Sequence, residues 1–356
     1  MLKSKTTIVL GAGASVDLNL PTGEELKETI ARLLKFKFEA YNSVVTGSPL
    51  IASTIQLMTR KEPELGDANH AFRIAREISG AMPQAISIDN YVDQRDDEVL
   101  IRHVAKLAII EAIVSAEKQS KLFVSSYVHP REIDFSSLTK TWHSRFFQLL
   151  SEGVKKSRVD SIFDHLTFVV FNYDRCLEQF LFQSLQNYYR LDSQVAFEIV
   201  EKAKIFHPYG IAGQFAPQGV RLTQTKSQSS NSLDFGGELE SENLLTLSSE
   251  IKTFTEQIEE EETLTEIRES LRLSDQILFL GFGFHSQNVE LISSGAPSKR
   301  PTILATTLGI SLPNTTIIEQ QLFQKFYKNT GLSNDVTTIA QSCRQLLDTF
   351  SGKISE

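Results

Sequence analysis

Cysteine is nearly absent from this chain of 356 residues, which contains only Cys176 and Cys343. A structural zinc site needs four ligands in tetrahedral geometry, and two isolated thiols cannot supply a four-cysteine set. Nothing in the spacing indicates a disulfide framework either. We therefore expect no metal ion and a reducing, cytoplasmic location.

An excess of basic residues is also missing. The chain has 36 Lys and Arg against 44 Asp and Glu, which gives a net charge of −8. Proteins that bind DNA or RNA usually carry a basic face that neutralises phosphates. No direct nucleic-acid partner is therefore predicted. Charged residues make up 22% and hydrophobic residues 41%, and this balance indicates a folded protein rather than a disordered one.

Long uninterrupted apolar runs are missing as well. The N-terminus lacks the apolar core and the small-residue cleavage site of a signal peptide. The most apolar stretch, residues 99–116, contains Arg102, His103, Lys106 and Glu111. Because these four side chains would be costly in hydrocarbon, we predict a buried helix there and no membrane association.

Five short apolar runs predict the strands of one sheet. Residues 166–171 form a continuous apolar run, typical of a parallel strand that is buried on both faces. The other runs are Thr6–Leu10, Lys204–Phe206, Gln276–Leu280 and Thr302–Thr306. Because helical patterns separate the runs, the sequence predicts an α/β fold with a Rossmann-like, doubly wound parallel sheet.

A long helical region interrupts this pattern. Residues 37–157 show helical periodicity without an alternating strand, so a large helical insertion is predicted. The Rossmann domain is then discontinuous, over residues 1–36 and 158–312, with a mobile polar loop at about 220–250. Residues 313–356 are predicted to form a C-terminal helical segment that packs on the core or on a partner.

Four of the predicted strands end in glycine or polar residues, at positions 11–15, 171–174, 207–210 and 281–284. The carboxyl ends of parallel strands share one edge of a sheet, and ligands bind there. Glycines at the first position let a pyrophosphate approach the backbone, and N–H groups at a helix start favour an anion. The dehydrogenase fingerprint is incomplete, because Val16 stands where the third glycine belongs.

Each of these segments also has a purely structural interpretation. The first can be a tight turn without a ligand, and Asp174 can simply cap the following helix. Asn172 cannot be explained as a helix cap, because it lies two residues before the capping position. His207 can be a structural histidine. Cys176 is expected to be a packed residue at a helix start rather than a reactive thiol.

In their order along the chain, the four segments resemble the sirtuin superfamily. Sirtuins begin with a strand, a Gly-Ala-Gly-x-Ser turn and a nearby proline. They then carry Asn-x-Asp after a central strand, a histidine followed closely by glycine, and a later glycine turn that contacts NAD. The matching residues are Gly11, Ala12, Gly13, Ser15, Pro21, Asn172, Asp174, His207, Gly210, Gly281 and Phe282.

Two departures from sirtuins argue against removal of acyl groups from peptide lysines. The four zinc cysteines are missing, and residues 22–24 read Thr-Gly-Glu instead of Asp-Phe-Arg. The long insertion and the Phe-Asn-Tyr-Asp sequence look like the zinc-less sirtuin-like proteins of bacterial antiphage defence. That resemblance implies NAD+ hydrolysis under control by a trigger. Because an uncontrolled NADase would be toxic to its cell, we also expect a homo-oligomer, an occluding loop, or a partner ATPase or sensor protein from the same system as the means of control.

The predicted reaction is cleavage of the nicotinamide–ribose bond of NAD+. The leaving nicotinamide is neutral and needs no proton, and the transition state resembles an oxocarbenium ion. Asn172 is predicted to hold a water or a ribose hydroxyl through its carbonyl oxygen, and His207 to act as general base. Asp174 is expected to orient the ribose. The Gly11–Gly13 turn would hold the pyrophosphate, with Ser15 as an added donor.

Two other functions stay open on this evidence from the residues. The same pocket in a non-catalytic sensor would bind NAD or ADP-ribose and control a partner protein. A sensor needs no base, so the presence of both Asn172 and His207 favours the enzyme. A Rossmann dehydrogenase is the weaker alternative, because of Val16.

Overall fold

The structure is a computed structural model that describes residues 3–39, 43–95, 97–125, 132–222, 231–253, 256, 261–293, 300–327 and 336–355. The strands are β1 (Thr6–Leu10), β2 (Lys37–Phe38), β3 (Val44–Thr46), β4 (Leu166–Val170), β5 (Lys204–Phe206), β6 (Gln214–Phe215), β7 (Ser232–Leu233), β8 (Gln276–Leu280), β9 (Thr302–Thr306) and β10 (Val336–Ile339).

Six of these strands form one parallel sheet in the order β10-β9-β8-β1-β4-β5. Numbered along the chain within this sheet, the order is 3-2-1-4-5-6 read from the β5 edge, which is the order of doubly wound dinucleotide-binding folds. The strand order reverses between β1 and β8. The predicted α/β, Rossmann-like parallel sheet is thus confirmed, and its switch point lies beside the first glycine turn.

The helices are α1 (Gly23–Leu33), α2 (Pro49–Lys61), α3 (Ala68–Ala81), α4 (Ile88–Asp93), α5 (Val99–Lys118), α6 (Trp142–Ser151), α7 (Cys176–Tyr189), α8 (Ser193–Lys202), α9 (Ser241–Ser248), α10 (Glu261–Leu273), α11 (Ser286–Ile292), α12 (Leu312–Phe326), α13 (Cys343–Thr349) and α14 (Ser351–Ser355).

Alternate residues of the central strands point to opposite faces of the sheet. Val9 and Phe279 belong to one buried cluster, and Ile8, Phe168 and Leu278 belong to another. The first face, called here the insertion face, is covered by α1–α5 and α9–α12. The far face is covered by α6–α8, α13 and α14. The region predicted as one insertion therefore divides, because α6 packs on the far face.

Local signals account for several element boundaries. α1 begins at the predicted capping box, in which the Glu25 N–H donates to Thr22 Oγ1 over 3.3 Å and the Thr22 N–H donates to Glu25 Oε2 over 2.7 Å. α5 matches the predicted buried helix, and its Lys106 pairs with Glu256 at 2.9 Å. In the described ranges, no helix is both long and apolar enough to cross a membrane.

Two predictions about the second half of the chain were wrong in part. The C-terminal segment is not helical throughout, because β10 adds a sixth strand beside β9. Its four residues are β-branched and pair at the sheet edge, a signal too short to recognise between two helices. The polar loop is also more ordered than expected. Residues 231–250 contain β7 and α9, whose Leu244 and Leu247 are buried, whereas residues 223–230 lie outside the described ranges.

A third difference lies in the region predicted to contain no strand. β2 and β3 form a short antiparallel pair there. Phe36 and Phe38 pack on Phe72 of α3 with ring centroids 5.1 and 4.8 Å away. Apolar contact with a helix, rather than an alternating pattern, stabilises this pair.

Candidate functional site

A cleft of about 250 Å³ opens at the carboxyl edge of the sheet, next to the switch point between β1 and β8. The segments after β1, β4 and β8 form one wall. Residues 86–90, at the start of α4, form another. The predicted site residues that line this cleft are Gly11, Ala12, Gly13, Asn172, Asp174, Gly281 and Phe282.

The glycine turns after β1 and β8 pack backbone against backbone. The Gly11 N–H donates to the Leu280 carbonyl over 3.1 Å, and the Gly13 N–H donates to the Gly281 carbonyl over 3.0 Å. A Cβ on Gly281, whose φ is +59°, would lie 2.1 Å from the Ala14 nitrogen. Contact between the two turns therefore requires glycine whether or not a ligand binds.

The first turn keeps one backbone donor for a ligand. The N–H groups of Ala14 and Ser15 donate to the carbonyls of Gly11 and Ala12, over 2.9 and 3.1 Å. Within residues 11–15, the Ala12 N–H is the one without an acceptor among the described residues. An anionic group on this turn would thus meet a single N–H rather than several.

Asn172, Ser15 and Asp174 form a chain of hydrogen bonds at the base of the cleft. Asn172 Nδ2 donates to Ser15 Oγ over 2.9 Å, and Ser15 Oγ donates to Asp174 Oδ1 over 3.3 Å. The amide of Asn172 is therefore oriented with its Nδ2 toward Ser15 and its Oδ1 elsewhere. That Oδ1 is buried and accepts no hydrogen bond from any described residue.

Asp174 also has the helix-start contact that its position predicts. Its Oδ1 accepts the backbone N–H of Cys176 over 3.0 Å. Burial raises the pKa of Asp174, although the hydrogen bonds from Cys176 and Ser15 lower it. Burial also raises the pKa of the Cys176 thiol well above its usual value. A buried, protonated thiol is a packing group and a poor nucleophile.

His207 lies against the backbone of Asn172, outside the cleft. Its Nδ1 is 3.2 Å from the Asn172 carbonyl oxygen, and its Nε2 is 2.8 Å from Glu178 Oε1. It lines a second cavity of about 340 Å³ instead. Burial lowers the pKa of His207, but the charge and hydrogen bond of Glu178, the hydrogen bond to the Asn172 carbonyl and the charge of Asp174 together outweigh this effect, so the net shift is upward.

This geometry limits what His207 can do. A carbonyl oxygen only accepts hydrogen bonds, so Nδ1 carries a proton, and the Glu178 carboxylate favours a second proton on Nε2. A general base needs a free lone pair within reach of its substrate. The structure therefore brings together the side chains of Asn172, Ser15 and Asp174, but it does not bring the His207 ring into the same cleft.

Several polar residues of the cleft were not among those predicted. The Tyr173 hydroxyl donates to Asp89 Oδ1, and the Tyr209 hydroxyl donates to Asn288 Oδ1 over 2.6 Å. Ser87, and not Asp89, caps α4. Asp89 and Tyr173 are 84 positions apart, and no local pattern links them.

A buried ion pair supports this edge of the sheet from below. Arg175 and Glu117 are both fully buried, and Arg175 Nε donates to Glu117 Oε1 over 3.1 Å. The same carboxylate accepts the backbone N–H groups of Arg175 and Gly236, over 3.0 and 3.1 Å. The pair ties α5 to the residue that follows Asp174, which positions the Asn172–Asp174 segment.

Residues 167–334 match the SIR2-like domain family. The match covers slightly less than half of the chain and begins in β4, so it includes Asn172, His207 and Gly281. It supports a sirtuin-like domain and with it an NAD-related function. The glycine turn after β1 and the whole of the predicted helical insertion lie outside the SIR2-like match. None of the curated proteins compared with the chain matches it.

No metal centre is evident among the described residues. Among the described residues, no group of three His, Cys, Asp or Glu side chains lies close enough together to hold a metal ion. The polar side chains that line the cleft are amides, carboxylates, phenols, hydroxyls and the imidazole of His285.

Proposed function

We propose that this protein is an NAD+ glycohydrolase, which uses water to cleave NAD+ into nicotinamide and ADP-ribose. The observation that carries the proposal is the Oδ1 of Asn172. It is a buried acceptor on the wall of a switch-point cleft, held in place by Ser15, and it accepts no hydrogen bond from the described residues. Such an oxygen can hold a water or a ribose hydroxyl beneath the anomeric carbon.

The other walls of the cleft fit the remaining parts of NAD+. Phe171 and Phe282, whose ring centroids are 5.0 Å apart, offer an apolar surface to the nicotinamide ring. The Gly11–Gly13 turn and the Ala12 N–H would hold the pyrophosphate, with Gly281 beside them on the same wall. In this proposal His207 is a positioning residue, which fixes the Asn172 carbonyl.

Hydrolysis needs little covalent chemistry from such a site. The pyridine nitrogen leaves as a neutral group, so no acid has to protonate it. The protein must orient the ribose and stabilise the positive charge that develops on it. A fixed amide oxygen and nearby carboxylates supply both. The bacterial defence role, the homo-oligomer and the partner ATPase or sensor protein are also proposals, supported by the resemblance and by the expected need for control alone.

The test is release of nicotinamide from NAD+ by the purified full-length chain, measured by liquid chromatography over a range of protein concentrations. We expect Asn172→Ala to lower kcat by at least about 100-fold, because it removes an interaction with the reacting sugar. Its thermal unfolding should stay close to that of the parent. Asn314→Ala, at an exposed position of α12, is the matched control and should keep the parent rate.

If Asn172→Ala released nicotinamide at the parent rate, the proposed role of this residue would be contradicted.

The second candidate function is a sensor that binds NAD or ADP-ribose without turnover. The position of His207 favours it, because both ring nitrogens face protein acceptors rather than the cleft. Calorimetric binding of ADP-ribose without any nicotinamide release, with or without the product of a neighbouring gene, would support the sensor instead.

A further inference from the structure

The cleft needs a group that can accept a proton from water, and His207 does not face it. The titratable side chains that line the cleft are Asp89, Tyr173, Asp174, Tyr209 and His285. Each can be judged by the contacts that it already makes.

Four of these five groups are poorly suited to accept a proton from the attacking water. Asp174 is buried, and its Oδ1 already accepts hydrogen bonds from Ser15 and from the Cys176 backbone. Tyr173 and Tyr209 donate their hydroxyl protons to other residues, and burial raises the pKa of both, so they stay neutral. His285 is exposed to solvent.

Asp89 has the geometry that the others lack. It lies in the first turn of α4, on the wall opposite the sheet, and is half-buried against the cleft. Its Oδ1 accepts the hydroxyl of Tyr173, the residue that directly follows Asn172, so the carboxylate is held toward the wall that carries the Asn172 amide. Oδ1 accepts this hydrogen bond, and Asp89 is one of the residues that line the cleft.

From this arrangement we propose that Asp89 is the general base of the cleft, and that it accepts the proton of the water that attacks NAD+. This inference rests on the proposed NAD+ hydrolysis. Burial also raises the pKa of Asp89, despite the hydrogen bond from Tyr173, which makes the carboxylate a stronger base.

The step conserves atoms and charge. The water oxygen forms a bond to the anomeric carbon of the ribose while one of its protons passes to an Asp89 oxygen. The bond between that carbon and the pyridine nitrogen breaks, and its electron pair returns to the ring, which leaves as neutral nicotinamide. Asp89 then releases the proton to solvent, so NAD+ and water give ADP-ribose, nicotinamide and one proton.

The test compares Asp89→Asn with Asp164→Asn, an exposed aspartate that precedes β4 at the opposite edge of the sheet. We expect Asp89→Asn to lower kcat by about 100- to 1,000-fold with a KM within about 3-fold of the parent, because a lost base affects the chemical step. Asp164→Asn should keep the parent kcat. Thermal unfolding of both variants checks the fold.

Two further measurements distinguish a general base at Asp89 from a residue that only positions its neighbours. Formate, a small carboxylate, should raise the rate of Asp89→Ala at least about 10-fold but leave Asn172→Ala unchanged. The acidic limb of the parent kcat profile should be lost in Asp89→Asn. The charged and titratable groups around Asp89 that bear on this limb are Tyr173, Tyr209 and, on the same helix, Asp93.

The outcomes distinguish the two proposals. If the parent chain releases no nicotinamide at any pH, the proposed hydrolysis fails, and the role of Asp89 fails with it. If the parent chain is active but Asp89→Asn keeps its kcat and its acidic limb, only the assignment of Asp89 is overturned. A rise in KM with an unchanged kcat would likewise overturn it, since it would show a binding residue.

Discussion

The cleft and the far face of the sheet each contain a buried polar atom that has no hydrogen-bond partner among the described residues. In the cleft, Asn172 Oδ1 lies near walls that include Phe171 and Tyr173 of the insertion-face core. On the far face, His143 Nδ1 lies in an aromatic cluster, with the Trp142 and Phe180 rings 4.1 and 5.3 Å away.

The difference between the two atoms is the space around them. An unpaired polar atom costs stability wherever it is buried. Where a cleft reaches it, as at Asn172, a ligand can offset that cost. Where side chains pack tightly around the unpaired atom, as at His143, no ligand can reach it to offset that cost. An unpaired atom thus indicates a binding site only together with a cavity, and the predictions below test this contrast.

The largest effect is expected where the two glycine turns meet, at the edge that both faces share. Gly281→Ala should lower the free energy of unfolding by more than about 5 kcal/mol, because a Cβ would collide with the backbone of the first turn in a left-handed conformation. Urea unfolding measures this change.

Gly80→Ala is the matched control for that substitution. Gly80 lies in α3, and a Cβ added there would meet no atom within 4 Å outside its own helix, so alanine should stabilise the chain by about 0.5–1 kcal/mol. Near-parent stability of Gly281→Ala would show that the turns separate easily, and the glycines would then need a ligand to explain them.

The second effect concerns the buried pair that joins α5 to the segment carrying Asn172. Arg175→Met should destabilise the chain by about 3–5 kcal/mol, because it leaves the Glu117 carboxylate buried without its counter-charge. Adding Glu117→Leu should recover most of the loss, since no charge then remains buried. A double-mutant cycle in urea measures the coupling, and additive losses would contradict it.

The smallest effect tests the far face directly. Burial lowers the pKa of His143 to about 3. The unfolded chain binds a proton there as the pH falls below about 6.5, while the folded chain stays neutral until about pH 3, so stability is lost as the pH falls through this window. At pH 5 this loss should be about 2 kcal/mol relative to pH 7.5.

His143→Leu should remove that part of the pH dependence and keep NAD+ cleavage. Urea unfolding at pH 7.5 and pH 5 measures the difference, with the parent chain as reference. An unchanged pH dependence would show that the imidazole is not held neutral. A loss of NAD+ cleavage would end the contrast between the two faces, because the far face would then contribute to the site.

Much of the sheet could be predicted because its signals are local. Apolar runs at β1, β4 and β8 stand out between helical patterns, and the capping box of Thr22 and Glu25 marks the start of α1. β10 and α9 were missed for the opposite reason. Their sequences are short or polar, and packing on a neighbour rather than local propensity stabilises them.

The site divides in the same way. Strand ends predicted Gly11, Asn172 and Gly281 correctly as neighbours, because parallel strands place their carboxyl ends at one edge. The positions of the strand ends in the sequence could not show in which direction a side chain points. His207 follows β5, yet its ring turns toward Glu178 of α7, and that contact depends on how the helix packs.

For this protein, the sequence by itself determined the parallel sheet, the edge at which the cleft opens and the glycines that the turns require. These follow from apolar periodicity and backbone geometry, which act over a few residues. Only the tertiary structure decided which polar groups share the cleft. Asp89 reaches the cleft because the insertion folds back over the sheet. The His207 ring lies outside the cleft because its two nitrogens are held by the Asn172 carbonyl and by Glu178.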